Sequence, residues 1–218
     1  VFDGCHATPM DLNVPNFGGL DLPPIQRKLY RKICYFLGLM INDEGKRFVD
    51  EGENFRNYTY AQFGKKVIEQ PKSQAWQIFD NKVIDLLYDE YHFEKATFVE
   101  APTLEGLIEK THGLDKKMAL QTIRDFNNAC TSNKPFDPTS LDGKKTSGLA
   151  LPKSNWAQTI SEPPFRAYPV TGGITFTYGG LKISKNGAVL DKDENPISGL
   201  FACGELVGGV FFNGYPGG

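Results

Sequence analysis

Two stretches hold residue types that can do chemistry. In "DEGKRFVDEGENFRNYTY", Lys46 and Arg47 flank a turn, and Arg56 sits among Phe55, Tyr58, Tyr60 and several acids. An arginine in such company either is partly buried and grips a carboxylate with two parallel N–H bonds, or lies on the surface stacked on a tyrosine. In "GLFACGELVGG", Gly204 and Glu205 follow an apolar run and precede more glycine. A carboxylate at the end of a strand can accept hydrogen bonds from ligand hydroxyls, or from the amides of its own loop. The glycines there and in "TGGITFTYGG" permit close backbone approach to a ligand, or simply form tight turns in a twisted sheet. Neither stretch has the GxGxxG spacing of a dinucleotide fingerprint.

Other chemistries find less support. His6, His92 and His112 are scattered, so neither a metal site nor a histidine base is expected. No nucleophile elbow is present. Cys5, Cys34, Cys130 and Cys203 form no CxxC pair. They read as reduced, mostly buried thiols of an intracellular protein, and a cytoplasmic location is expected. The chain of 218 residues is 40% hydrophobic and 23% charged, with net charge −2 and no basic block. A nucleic-acid partner is therefore not expected. No apolar run approaches the roughly 20 residues that span a bilayer, so a membrane role is not expected for this segment.

The elements that must position these residues are expected as follows. Residues 1–24 read as loop, with Pro, Gly and Asn at short intervals. "ICYFLGLMIND" (33–43) reads as a strand, turning at Asp43–Gly45 into a second short strand. The polar aromatic segment after Gly52 is left unassigned, and "QAWQIFD" (74–80) reads as a buried strand. "DNKVIDLLYDEYH" reads as a helix with Val83, Leu86, Leu87 and Tyr91 on one stripe. Thr103 caps a short helix stopped near Gly113, and Asp115 caps a longer one with Ala119, Ile123, Phe126 and Cys130 in register. Residues 131–165 read as irregular loop, a lid or a crossing between lobes. After Pro164 successive β segments follow, with turns at Lys185–Gly187 and around Asp193–Pro196. The fold class is α+β. Its expected divisions are an exit segment (1–24), a capping, substrate-side domain (25–163) and a β-rich segment of a larger lobe (164–218).

"INDEGKRFVDE…FRNY" and "TGGITFTYGGLKIS…AVLDKDENPISGLFACGELVGG" together resemble the fumarate reductase and succinate dehydrogenase flavoprotein family. The likeness extends to "LEGLIEKTHGLD…TIRDFN". Within the family, "FVDEGENFRNYTYA", "AYPVTGGITFTYGGLKI" and "YPGG" are most similar to the tricarballylate dehydrogenase branch. The resemblance implies an FAD cofactor, a carboxylate substrate, and removal of two hydrogens from a C–C bond with hydride passing to the flavin N5. It makes Arg56 the proton-transfer residue, with Asp50, Glu51 and Glu53 as relay candidates. It sets Gly204 and Glu205 at the cofactor and Thr177 at the substrate. Tyr178 and Tyr215 are further substrate candidates, because a phenol can hydrogen-bond a carboxylate; the alternative is that they are core aromatics. Arg166 is open in the same way, between a carboxylate contact and a surface role.

Two departures bear on the substrate. Family members that reduce fumarate carry a His where this chain has Phe176, and an Arg where it has Tyr215. Fumarate reduction is therefore not the expected reaction. A Tyr-Pro-Gly near this point also resembles flavin-dependent Δ1-steroid dehydrogenases, which stand as an alternative beside a non-catalytic carboxylate-binding module. The electron acceptor is left open. The family's ADP-binding segment and the helix after the final glycines are not in the sequence, so FAD is expected to bind this piece weakly or not at all.

Overall fold

The computed structural model describes residues 4–14, 23 and 29–209. It is an α+β structure built on one five-stranded antiparallel sheet. The strands are β1 (Cys5–Asp11), β2 (Leu39–Asn42), β3 (Gln74–Phe79), β4 (Val99–Ala101) and β5 (Phe165–Thr177). Long β5 is the spine. Its first half pairs with β3 on one side and β4 on the other, and its second half pairs with β1, while β2 lies beyond β3. The strand after Pro164 is thus hydrogen-bonded to strands that precede it, and the composition change near residue 163 falls within one sheet.

Alternation along the strands sends side chains to two cores. On one face Met40, Ala75, Phe79, Tyr168 and Val170 pack with Tyr35, Phe63, Val67 and Trp156. On the other, Leu39, Ile41, Trp76 and Ile78 pack with Leu107, Ile108, Ala119, Ile123 and Phe126. The first core is covered by α1 (Arg56–Ile68). The second is covered by α3 (Leu104–Lys110) and α4 (Lys116–Ala129). The Thr103 side chain accepts from Gly106 N and that of Asp115 from Met118 N, so both caps form as the sequence suggests. Cys130 follows α4 as its half-buried cap residue, outside the helix.

Four segments differ from the sequence reading. Residues 5–11, read as loop, form β1, which pairs with β5 along one side and carries only a short bridge to residues 31–32 on the other; there Pro9 serves as acceptor through its carbonyl, so its missing N–H is tolerated. The strand expected over 33–43 is a 3-10 turn at Tyr35–Leu37 followed by β2, and its hairpin partner is reduced to a single bridge from Ile41 to Arg47. The helix expected over 80–92 is only α2 (Asn81–Ile84) and a separate 3-10 turn at Asp89–Tyr91. Leu86 of the expected stripe is exposed. The unassigned segment forms α1.

Residues 131–164 have no regular element, as expected, but they are held by their polar side chains. Asp142 Oδ1 accepts from Lys144 N and Trp156 N, and Asn155 bridges Gly143 N to the Gly52 carbonyl. The buried Trp156 indole donates to the Asp137 and Ser140 carbonyls. Of the cysteines only Cys34 is buried; Cys203 is exposed, and all four are free thiols. Beyond β5, β6 (Ala188–Leu190) and β7 (Pro196–Phe201) make a separate two-stranded sheet. Among the described residues no helix is long and apolar enough to cross a membrane.

Candidate functional site

Arg56 opens α1. No side chain caps this helix; the residue before it, Phe55, has extended backbone and packs on Trp156. The opening residues of α1 therefore face a cleft instead of a capping loop. The body of α1 is drawn tight onto the sheet by two glycines. A Cβ on Gly64 would lie 2.3 Å from the Ala7 carbonyl carbon, and one on Gly172 would lie 2.2 Å from Ile68 Cγ1. The helix thus rests on the backbone of β1 and β5. That contact sets how far Arg56 projects.

The cleft has a volume of about 420 Å³, a size that takes small molecules. Arg56, Asn57 and Tyr60 of α1 form one wall, His6 and Thr8 of β1 and Thr175 and Phe176 of β5 another, with Arg31 and Ile33 between. Arg56 is half-buried. Its Nε donates to the Tyr88 hydroxyl at 3.0 Å, and the guanidinium carbon lies 4.9 Å from that ring's centre. Phe176 stacks on His6 with centroids 4.8 Å apart, and Tyr60 meets His6 edge-on. His6 Nδ1 is bonded to the Thr175 hydroxyl. Burial lowers the His6 pKa from its ordinary value, against a backbone hydrogen bond that raises it, so the ring is neutral at pH 7.

The candidate relay acids are mostly committed elsewhere. Glu51 is fully buried, accepts from Met40 N and is clamped by Arg47. Asp50 accepts from Gly52 N and from both donors of Ser154. Glu53 is exposed, and partial burial followed by the Asp50 charge raises its pKa.

Phe176 lines the cleft, and its neighbour Thr177 donates its backbone N–H to Glu205 Oε1 at 3.3 Å. Glu205 lies in the exposed 3-10 turn Gly204–Leu206. Gly204 has φ +75°, and among the described residues no atom lies within 4 Å of where its Cβ would be. The amide that Glu205 accepts belongs to the end of β5, not to its own loop. Tyr178 is buried between Phe176 and Gly4, away from the cleft lining. Arg166 pairs with Glu100 at 2.6 Å beside Phe98 and is not in the cleft. Tyr215 lies outside the described residues. Among the described residues no three His, Cys, Asp or Glu side chains are grouped to hold a metal.

Sequence reasoning passed over Thr8, Arg31, Tyr88 and Thr175 and set His6 aside. His6, Thr8, Arg31 and Thr175 are far apart in the chain and meet through the pairing of β1 with β5 and of the 31–32 backbone with β1, while Tyr88 reaches Arg56 from the segment after α2. No local pattern marks them.

Comparison with known proteins places the chain in a family. Residues 26–218 match the FAD binding domain family. The chain is 31% identical over 175 residues to a probable fumarate reductase, Ifc3, of Shewanella frigidimarina (strain NCIMB 400); the match covers 79% of this chain and 26% of that protein. It is 28% identical over 201 residues to the 3-oxosteroid 1-dehydrogenase of Mycolicibacterium smegmatis, covering 82% of this chain and 34% of that one. Among solved structures, the open conformation of a flavocytochrome c3 fumarate reductase superposes with a TM-score of 0.59 at 27% identity, over 94% of this chain and 32% of that one. The chain thus spans about a quarter to a third of these relatives' length. The match over residues 26–218 establishes that the chain belongs to the FAD binding domain family, among relatives that include fumarate reductases.

Proposed function

We propose that this chain forms the substrate-side cap and part of the flavin-facing edge of an FAD-dependent oxidoreductase that dehydrogenates a C–C bond of a polycarboxylate such as tricarballylate. One observation carries the reading: consecutive residues of β5 serve both predicted sites, Phe176 in the wall of the Arg56 cleft and Thr177 bonded to Glu205. A substrate in the cleft and a cofactor at the turn would be neighbours.

Gly204 and Glu205 would hold FAD, the first by leaving its face open and the second through the amide of Thr177. Bound FAD supplies the acceptor for a hydride at N5. The remaining proton of the C–C unit leaves toward Arg56 as the double bond forms. Arginine stays protonated at neutral pH, so it can take a proton only by passing one on. The Tyr88 hydroxyl fixes the guanidinium orientation, and Glu53, with its raised pKa, is the relay acid not tied into the buried network. Phe176 and the neutral His6 line the wall with rings, which keeps water from the reacting carbon.

In the whole protein loaded with FAD, tricarballylate should bleach the flavin, and Arg56→Ala should abolish that bleaching with FAD still bound. Normal reduction in the variant would defeat the assignment. Bleaching by a 3-oxosteroid and not by tricarballylate would turn the reading to steroid 1-dehydrogenation. Binding of the carboxylate with no bleaching would make the cleft a binding module.

A further inference from the structure

Arg56 and Asn57 line a second cavity besides the cleft, and the proton-transfer reading leaves it unused. Its volume is about 150 Å³, and its other walls are Phe36, Phe55, Tyr88, Pro138 and Trp156. A cavity of that size between apolar side chains takes a molecule as large as benzene. The walls are fixed. Phe36 and Phe55 pack on Trp156 with ring centroids 5.2 and 5.8 Å away. The Trp156 indole N–H is spent on the Asp137 and Ser140 carbonyls, which pins the loop that carries Pro138. Arg56 is the only cation among the lining residues. Its Nε donates to the Tyr88 hydroxyl, and among the described residues its guanidinium has no acid partner.

We infer that this cavity is a ligand site separate from the cleft and takes a small aromatic carboxylate, its ring among Phe36, Phe55, Tyr88 and Trp156 and its carboxylate on Arg56. Ring walls favour a ring, because aromatic pairs gain from edge-to-face and offset contact beyond the area they bury. A guanidinium without an acid favours an anion and repels a cationic ligand. Walls already held in place lower the ordering cost of binding. The same guanidinium heads the cleft, so a ligand that holds it in the ring-lined cavity draws it from the cleft. Occupancy of one cavity therefore opposes occupancy of the other, by the same factor in both directions. The site stands without the polycarboxylate reading; only its opposition to a polycarboxylate in the cleft rests on that reading.

The test titrates the FAD-loaded whole protein by calorimetry with benzoate, cyclohexanecarboxylate and acetate, in the wild type and in Phe36→Leu, Pro138→Phe and Phe176→Leu. Benzoate should bind the wild type, with cyclohexanecarboxylate about fivefold weaker for want of ring contacts and acetate weaker by about thirtyfold or more. Phe36→Leu keeps an apolar wall and removes a ring, and should weaken benzoate about fivefold. Pro138→Phe changes a half-buried loop residue, so its melting temperature should move little. It brings a ring into the cavity and should abolish benzoate binding. Phe176 lines the cleft and not the second cavity, so Phe176→Leu should leave benzoate within about twofold. At saturating benzoate, tricarballylate should bind about tenfold more weakly, and benzoate should lose as much at saturating tricarballylate. A wild type that binds benzoate no better than acetate would overturn the site. So would benzoate binding retained in Pro138→Phe, a loss in Phe176→Leu that matches the loss in Phe36→Leu, or a tricarballylate affinity that benzoate does not change. A wild type that binds benzoate as described but does not bind tricarballylate leaves the site standing and overturns the polycarboxylate reading.

Discussion

The two ends of β5 belong to different physical settings. From Phe165 to Val170 the strand is sealed between two cores and flanked by β3 and β4. From Thr171 on it is half-buried or exposed, and β7 beyond it is more so. All six residues of β7 are exposed, and Ile197, Leu200, Phe201 and Leu206 present apolar side chains to solvent. Arg56 hangs from the sealed end through α1. Gly204 and Glu205 hang from the open end through a few backbone bonds between residues 177–181 and 205–209. Substitutions near the first should therefore change fold stability and geometry together. Substitutions near the second should change ligand binding with little effect on stability.

The largest effect should come from Glu51. It is fully buried, holds Met40 N and faces Arg47, which is itself buried and lies 5.3 Å from the Phe126 ring. Lys153 is buried nearby, donating to the Gly38 carbonyl at 2.7 Å. Glu51→Leu leaves these cations without their acid, and losing one partner of a buried pair costs about 3–5 kcal/mol. The urea midpoint should drop accordingly. A small drop would mean that the sealed region does not depend on this network.

Lys153 gives the next effect, and it depends on pH. Burial, opposed by the Glu51 charge, lowers its pKa from 10.5 to about 8. Between those values the unfolded chain holds a proton that the folded chain has lost, so stability rises with pH from about 8 to 10.5; below 8 both states are protonated and the cost is constant. Lys32, buried between Asp11 and the Glu90 carbonyl and also lowered to about 8, contributes in the same direction. Lys153→Met should remove roughly half of that alkaline gain, on the order of 3 kcal/mol. Urea midpoints across the range would show it, and an unchanged slope would place the titration elsewhere.

How much of this was legible in the sequence follows from range. The Thr103 and Asp115 caps were legible because a cap is decided within four residues. The helix α1 was not. Its buried stripe is Thr59, Phe63, Gly64 and Val67, in which Gly64 serves close approach to β1 and Thr59 serves a hydrogen bond to the Tyr35 hydroxyl, so apolar periodicity does not reveal it. Strand β1 was hidden by Pro9. Arg56 was found by motif resemblance; Thr8 and Arg31 were not, because β1 had to be recognised first. Gly64→Ala tests that contact directly. The added methyl would meet the Ala7 backbone, and overpacking of this kind costs about 1–3 kcal/mol. It should also tilt α1 and slow any Arg56-dependent step, which flavin reduction kinetics in the whole protein would report.

The smallest effect on stability belongs to the open end, where a matched pair of glycines isolates function. Gly204 and Gly199 have φ +75° and +78°, and among the described residues neither has an atom within 4 Å of a Cβ position. Alanine at either should cost about 1 kcal/mol of left-handed backbone strain and no clash. Their roles differ: Gly204 borders Glu205 and the Thr177 amide, while Gly199 lies within exposed β7. Gly204→Ala should therefore weaken FAD by about tenfold or more, one methyl standing where a flat ring must come close, whereas Gly199→Ala should leave it within about twofold. Flavin titration of the two apoproteins, with matched melting temperatures, separates strain from contact. Equal loss in both variants would assign the effect to backbone strain and remove Gly204 from the cofactor site, leaving the Thr177–Glu205 bond as the link between the open end and the cleft.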